Sequence, residues 1–97
     1  MVSFIISLDA TYEMADNFFD IFLADPFVQC SEVIVVVDGN YNLKIRNLLQ
    51  RLKNQYSNIL LFFIDKSGYG KANNLAVKNS SGEYLFFINC DIFAEKG

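Results

Sequence analysis

The chain alternates between short, dense apolar runs and longer segments in which apolar residues recur every three or four positions. The first run, Val2-Ser3-Phe4-Ile5-Ile6-Ser7-Leu8, has the length and composition of a strand covered on both faces. Thr11 can cap a following helix, and Glu13 falls where the positive end of a helix dipole favours an anion. Met14, Phe18, Ile21 and Phe22 then recur at helical spacing, and Pro26 closes the segment. Glu32-Val33-Ile34-Val35-Val36-Val37 is the clearest strand, because a β-branched run suits a central parallel position. Asp38-Gly39-Asn40 makes a turn, with Asn40 placed to cap a second helix striped by Ile45, Leu48, Leu49 and Leu52. A third strand, Ile59-Leu60-Leu61-Phe62-Phe63-Ile64, leads through a polar loop at 65–70 to a short helix containing Ala72, Leu75 and Ala76. Ser81-Gly82 gives that helix a C-cap signal, and a fourth strand, Tyr84-Leu85-Phe86-Phe87-Ile88, runs into Asn89-Cys90-Asp91.

This βαβαβαβ order with short links predicts an α/β fold, a parallel sheet with right-handed crossovers and helices on both faces. A strand order of 3-2-1-4 would open a crevice between the first and fourth strands, beyond their carboxyl ends, where such sheets bind ligands. Ser7, Asp9, Asp38, Asn89 and Asp91 would converge there. With no repeat, low-complexity tract or linker, residues 1–97 read as a single domain.

Composition narrows the function classes. Hydrophobic residues make up 53% of the chain, ten of them Phe, so a packed core is easily supplied and disorder is not expected. The net charge of -3 leaves no basic footprint for nucleic acid. Lys44, Arg46, Arg51 and Lys53 read as a solvated helix face. The absence of histidine excludes zinc chemistry and Ser-His catalysis within this chain, and two cysteines without CxxC spacing make no disulfide framework. No signal-like n-region and no apolar stretch of about 18 residues is present, which leads us to expect a cytoplasmic protein.

Three segments carry candidate chemistry. Asp38 follows a buried strand, where its carboxylate can accept hydrogen bonds from a base or from ribose hydroxyls, or can simply shape the Asp-Gly turn. Asn89 and Asp91 offer hard oxygen ligands for Mg²⁺ or Mn²⁺, and on an extended segment their spacing turns both to one side; the alternative is a polar turn. In Lys66-Ser67-Gly68-Tyr69-Gly70-Lys71-Ala72-Asn73-Asn74, Gly68 and Gly70 permit close approach of a ligand to a helix N-terminus, or else form a capping turn. Neither a Walker loop nor a GxGxxG fingerprint fits this segment.

In order, four segments resemble the family 2 glycosyltransferases of the GT-A, Rossmann-like fold. Val2-Ser3-Phe4-Ile5-Ile6-Ser7 resembles V-S-I-I-I-P, and the stretch from Glu32 to Asn40 resembles E-I-I-V-V-D-D-G-S. The Lys66 to Asn74 segment is similar to N-x-G-x-G-x-A-x-N. Gly82-Glu83-Tyr84-Leu85-Phe86-Phe87-Ile88-Asn89-Cys90-Asp91 resembles G-E-Y-L-L-F-L-N-P-D, the strand that ends in the family's metal motif. The resemblance implies a chain that binds a UDP- or dTDP-linked sugar for inverting transfer to a saccharide or lipid-linked acceptor hydroxyl. Ser7 would lie beside the base, with Asp9 in the same loop, and Asp38 would bind the pyrimidine or ribose. Gly68 and Asn73 would flank the donor, Asn89 would support the sugar or ribose, and Asp91 would coordinate Mg²⁺ or Mn²⁺ on the diphosphate.

Departures accompany the match. Leu8-Asp9-Ala10 replaces the family's small-Tyr-Asn, altering the nucleobase wall, and Val37 replaces the first acid of the D-D pair. The family's acceptor half and general base are expected beyond Gly97, which makes this chain the N-terminal donor-binding part, inactive by itself. The fourth strand would then expose an uncharged edge suited to a homodimer. The rival reading is a non-catalytic α/β nucleotide-binding or interaction module. A receiver-like version of it would need an acidic pair after the first strand, which is missing here.

Overall fold

The computed structural model describes residues 2–8, 11–38, 43–64 and 69–88, apart from the side chains of Asp38 and residues 69–73. Its elements are β1 (Val2–Leu8), α1 (Tyr12–Phe22), α2 (Pro26–Gln29), β2 (Glu32–Asp38), α3 (Leu43–Gln55), β3 (Ile59–Ile64), α4 (Tyr69–Asn79) and β4 (Tyr84–Ile88). The four strands form one sheet in the order β3-β2-β1-β4, and all three pairings are parallel. The expected architecture and strand order are therefore the observed ones.

Alternation along the strands divides the core into two layers. Phe4, Ile6 and Leu8 of β1 and Val33, Val35 and Val37 of β2 face α1 and α3, with Phe18, Phe19, Phe22, Ile45, Leu48 and Leu49. Ile5, Ile34 and Val36 face the opposite way, onto Ala76 of α4. Residues 33–37 of β2 are all essentially inaccessible, as a β-branched strand covered on both faces requires. The stripe of α1 shares only Phe18 and Phe22 with the expected one, and Met14 is half-buried. Ala15, Phe18, Phe19 and Phe22 are its buried residues, whereas Ile21 is 47% exposed.

Two terminations also depart from expectation. Pro26 begins a helix and does not merely close one. Asp25 accepts a hydrogen bond from the Phe27 N–H at 2.8 Å, and proline in the first turn starts α2 with its φ already set. Ser81-Gly82 does not cap α4, which ends at Asn79 with the Ser80 hydroxyl donating to the Val77 carbonyl. Ser81 and Gly82 instead join a polar staple at the amino ends of the strands. Glu32 accepts from the Ser81 N–H at 2.8 Å and hydroxyl at 3.0 Å, and from the Ser3 hydroxyl at 2.7 Å. The Gly82 N–H donates back to the Ser3 oxygen at 2.9 Å. One carboxylate thus ties together the starts of β1, β2 and β4.

Of the α3 cations, Lys44, Arg51 and Lys53 are exposed, as expected of a solvated face, and Arg46 is half-buried. They flank the buried stripe on both sides, and each reaches a neighbouring element. Lys53 donates to the Ile59 carbonyl at 3.2 Å, and Arg46 lies 4.4 Å from the centre of the Phe63 ring. Arg51 approaches Asp16 of α1 at 4.0 Å, and Lys44 sits over the Tyr12 ring. The central outward positions are left to the neutral residues Asn47, Gln50 and Asn54.

Burial pushes the Glu32 carboxyl up, but its hydrogen bonds from Ser81 and Ser3 outweigh that and hold it below the ordinary 4.5. A lowered folded-state value means the staple stabilises the fold above the unfolded value and stops doing so as pH falls through the folded one. Glu32→Gln should cost about 1.5 kcal/mol at neutral pH, the low end for a charged hydrogen bond because the site is partly exposed. Urea denaturation should show that gap closing as the pH is lowered through the acid range. A gap independent of pH would remove the carboxylate from the account.

Candidate functional site

Parallel pairing sends all four strands out of the sheet at the same edge. At that edge Ser7 lies opposite Val36 and Leu8 opposite Val37, while Ile6 pairs with Ile88 and Asp38 with Ile64. From β1 the chain steps outward to β2 and β3, then returns to place β4 on the other side of β1. The strand order reverses between β1 and β4. Helices leaving two adjacent strands diverge at such a point, which opens a crevice above the carboxyl ends.

The candidate residues take up this frame unequally. Ser7 is half-buried near the end of β1, on the same side of the sheet as Ile5 and α4. Asp38 is the last residue of β2, so its backbone stands at the carboxyl edge beside the end of β3. Asp9, Gly68, Asn89 and Asp91 lie outside the described residues, each in a segment that follows a strand's carboxyl end. The backbone of Asn73 belongs to α4, which begins at Tyr69, within the glycine-containing segment and earlier than expected. The N–H groups of its first turn therefore belong to Tyr69, Gly70, Lys71 and Ala72, and Asn73 comes just after them.

One feature of this end of the molecule escaped the sequence reading. Tyr12 opens α1, where the Thr11 hydroxyl caps the helix by accepting from the Met14 N–H at 3.3 Å. Lys44 is the second residue of α3. Because β1 and β2 are adjacent and parallel, the two helix starts come together, with Lys44 Nζ 5.9 Å from the Tyr12 ring centroid. With Asn47, Leu48 and Arg51 they line an open cavity of about 420 Å³. An aromatic residue in the first turn after β1 was the available signal.

Among the described residues no three His, Cys, Asp or Glu side chains stand close enough to hold a metal ion, and no helix is long and apolar enough to cross a membrane. The exposed thiol of Cys30 lies at the end of α2, on the opposite end of the sheet from the crevice.

A four-stranded parallel sheet in this order, with helices on both faces and a switch point beside its first strand, is the Rossmann-like half of a GT-A fold. The family model for glycosyl transferase family 2 matches residues 28–97, from α2 through β4 to the last residue, and the chain belongs to that family. Its general role is accordingly glycosyl transfer. A comparison with individually curated proteins gives no match.

Proposed function

We propose that residues 1–97 act as one donor-binding unit that holds a UDP- or dTDP-linked sugar across the carboxyl edge of the sheet. The observation that carries this reading is the reversal of strand order between β1 and β4, within a chain that matches the family through all but its first strand and helix. Ser7 and Asp9 then border the base, Asp38 accepts hydrogen bonds from the pyrimidine or ribose, and Gly68 with Asn73 flanks the donor. Asn89 orients a sugar or ribose hydroxyl, and Asp91 binds the cation shared with the diphosphate.

Mg²⁺ or Mn²⁺ suits this donor set. A single carboxylate with diphosphate oxygens and water is how a small hard cation is commonly held, and no dedicated protein cage is needed. The bound cation supplies Lewis-acid stabilisation of the departing diphosphate. In the reaction we propose, the acceptor hydroxyl oxygen attacks the anomeric carbon while the bond to the diphosphate breaks, and the configuration inverts. A general base takes the hydroxyl proton; none of the residues assigned here has that role. The acceptor is a saccharide or a lipid-linked saccharide, and the donor chemistry belongs to the cytoplasm.

A second copy of the chain is the partner we propose for β4. Among the described residues β4 has a strand neighbour on one side only, and its Tyr84, Phe86 and Phe87 are 63%, 51% and 48% exposed. Its backbone edge carries no charge or proline to block pairing, and isologous pairing would bury the edge and both aromatic faces together.

Calorimetry with UDP and dTDP tests the donor reading. Mn²⁺ should strengthen binding to the wild type, and Asp91→Ala should abolish that gain without unfolding the chain. Equal affinities of the two proteins with metal present would overturn the metal assignment. Asp38→Ala should weaken UDP by about 1.5 to 3 kcal/mol while sparing pyrophosphate; equal losses on both ligands would show that it does not act on the nucleoside. Sedimentation velocity should find a dimer at high micromolar concentration that Phe86→Lys converts to monomer, and a monomeric wild type would refute the β4 pairing.

A further inference from the structure

We infer that Lys53 and Arg46 close the outer edge of β3 to a strand from another copy of this chain, so that association through β4 stops at two copies. The stopping point rests on the β4 pairing proposed above; the guarding of β3 does not.

β3 is the strand most liable to pair with another chain. Ile59-Leu60-Leu61-Phe62-Phe63-Ile64 is an unbroken apolar run with no charge, proline or glycine, and all of it beyond Ile59 is only half-buried. Among the described residues it has a strand neighbour on one side only, β2. The Asn58 carbonyl accepts from the Val33 N–H at 3.1 Å, so it faces β2. Alternation along the strand then turns the backbone groups of Ile59, Leu61 and Phe63 outward.

Two cations of α3 stand at this outward row. Lys44 and Arg51 reach toward α1. Arg46 and Lys53, at i and i+7, lie on the other side of the buried stripe. The Lys53 ammonium donates to the outward Ile59 carbonyl at 3.2 Å, and the Arg46 guanidinium lies 4.4 Å from the centre of the Phe63 ring. The spacings match, since the helix advances about 10 Å between the two cations and the strand about 13 Å between their partners. One cation therefore meets each end of the row. Lys53 takes the acceptor with which an incoming strand would begin its ladder. A strand laid there would also bury two charges against apolar side chains, a cost that the added ladder does not offset.

The consequence is a choice between closed and open assembly. Pairing of β4 with β4 is a two-fold contact that consumes both edges, and growth ends there. Pairing of β4 with β3 joins opposite edges of the sheet and leaves one of each at the ends, so it repeats without closing. β4 leaves Tyr84, Phe86 and Phe87 exposed. With β3 guarded, the closed contact is favoured.

Sedimentation velocity of the whole chain at rising concentration tests this. Wild type should stop at the dimer, and so should Lys53→Arg, which keeps the charge. Lys53→Met combined with Arg46→Met keeps apolar stems and removes both charges. That double variant should form species larger than the dimer that grow with concentration. Adding Phe86→Lys should return it to a dimer or smaller, because growth needs β4 as well, whereas a misfolded aggregate would not be rescued in this way. Amide exchange should place the new contact, with the Leu61 and Phe63 N–H groups slower in the double variant than in wild type. A double variant that stops at the dimer, or larger species that survive Phe86→Lys, would overturn this inference and leave the β4 pairing standing. A monomeric wild type beside an associating double variant would remove the β4 pairing and keep the guarded edge. Monomers in both would overturn both.

Discussion

Strand β1 carries two parallel ladders at once, to β2 on one side and to β4 on the other, although β4 lies about eighty residues away along the chain. Such long-range parallel pairing costs loop-closure entropy and must be repaid by side-chain burial and by fixed strand ends. Burial comes from Phe4, Ile5, Ile6 and Leu8, none more than 9% exposed. The strand ends are fixed by Glu32, whose carboxylate gathers the Ser3 hydroxyl and the Ser81 backbone and side chain. Register set at the amino ends is inherited at the carboxyl ends, where the candidate chemistry lies. The staple therefore fixes, from the opposite end of the sheet, the register of the strands that reach the candidate site.

Local chemistry explains where the sequence was easiest to read. The bounds of β1, β3 and β4 follow from dense apolar runs closed by polar residues, and β2 extends one residue further, to Asp38, because that backbone still pairs with Ile64. The stripe of α3 was equally plain, since Ile45, Leu48 and Leu49 face one way. In α1 apolar residues occur on more than one side, so spacing alone admitted Met14 and Ile21 while burial favours Ala15 and Phe19. The two misread terminations share a cause. Pro26 and Ser81-Gly82 carry local signals for stopping a helix, and their actual use depends on partners distant in sequence or on the preceding cap.

The candidate site was legible as a set of positions and not as a set of contacts. Topology alone requires residues after the strand ends to meet at one edge, which is why Ser7 and Asp38 could be assigned to it. The wall formed by Tyr12 and Lys44 requires the relative placement of two helices, and no spacing along one segment encodes it. The charges of α3 were hidden for the same reason. Three of the four cations are exposed as a solvated face requires, but their neighbours are set by the fold: the Phe63 ring, the Ile59 carbonyl, Asp16 and the Tyr12 ring.

On the proposed reading, ligand binds at the carboxyl edge of the sheet and the amino edge serves structure alone. Backbone amide chemical shifts of the labelled chain, followed as UDP and Mg²⁺ are added, test it most directly. Shifts are expected to concentrate at Ser7, Asp9, Asp38, Asn89 and Asp91 and along the first turns of α1 and α3, with Ser3, Glu32 and Ser81 unmoved. Shifts centred on Ser3, Glu32 and Ser81, or no shifts at saturating nucleotide, would contradict it.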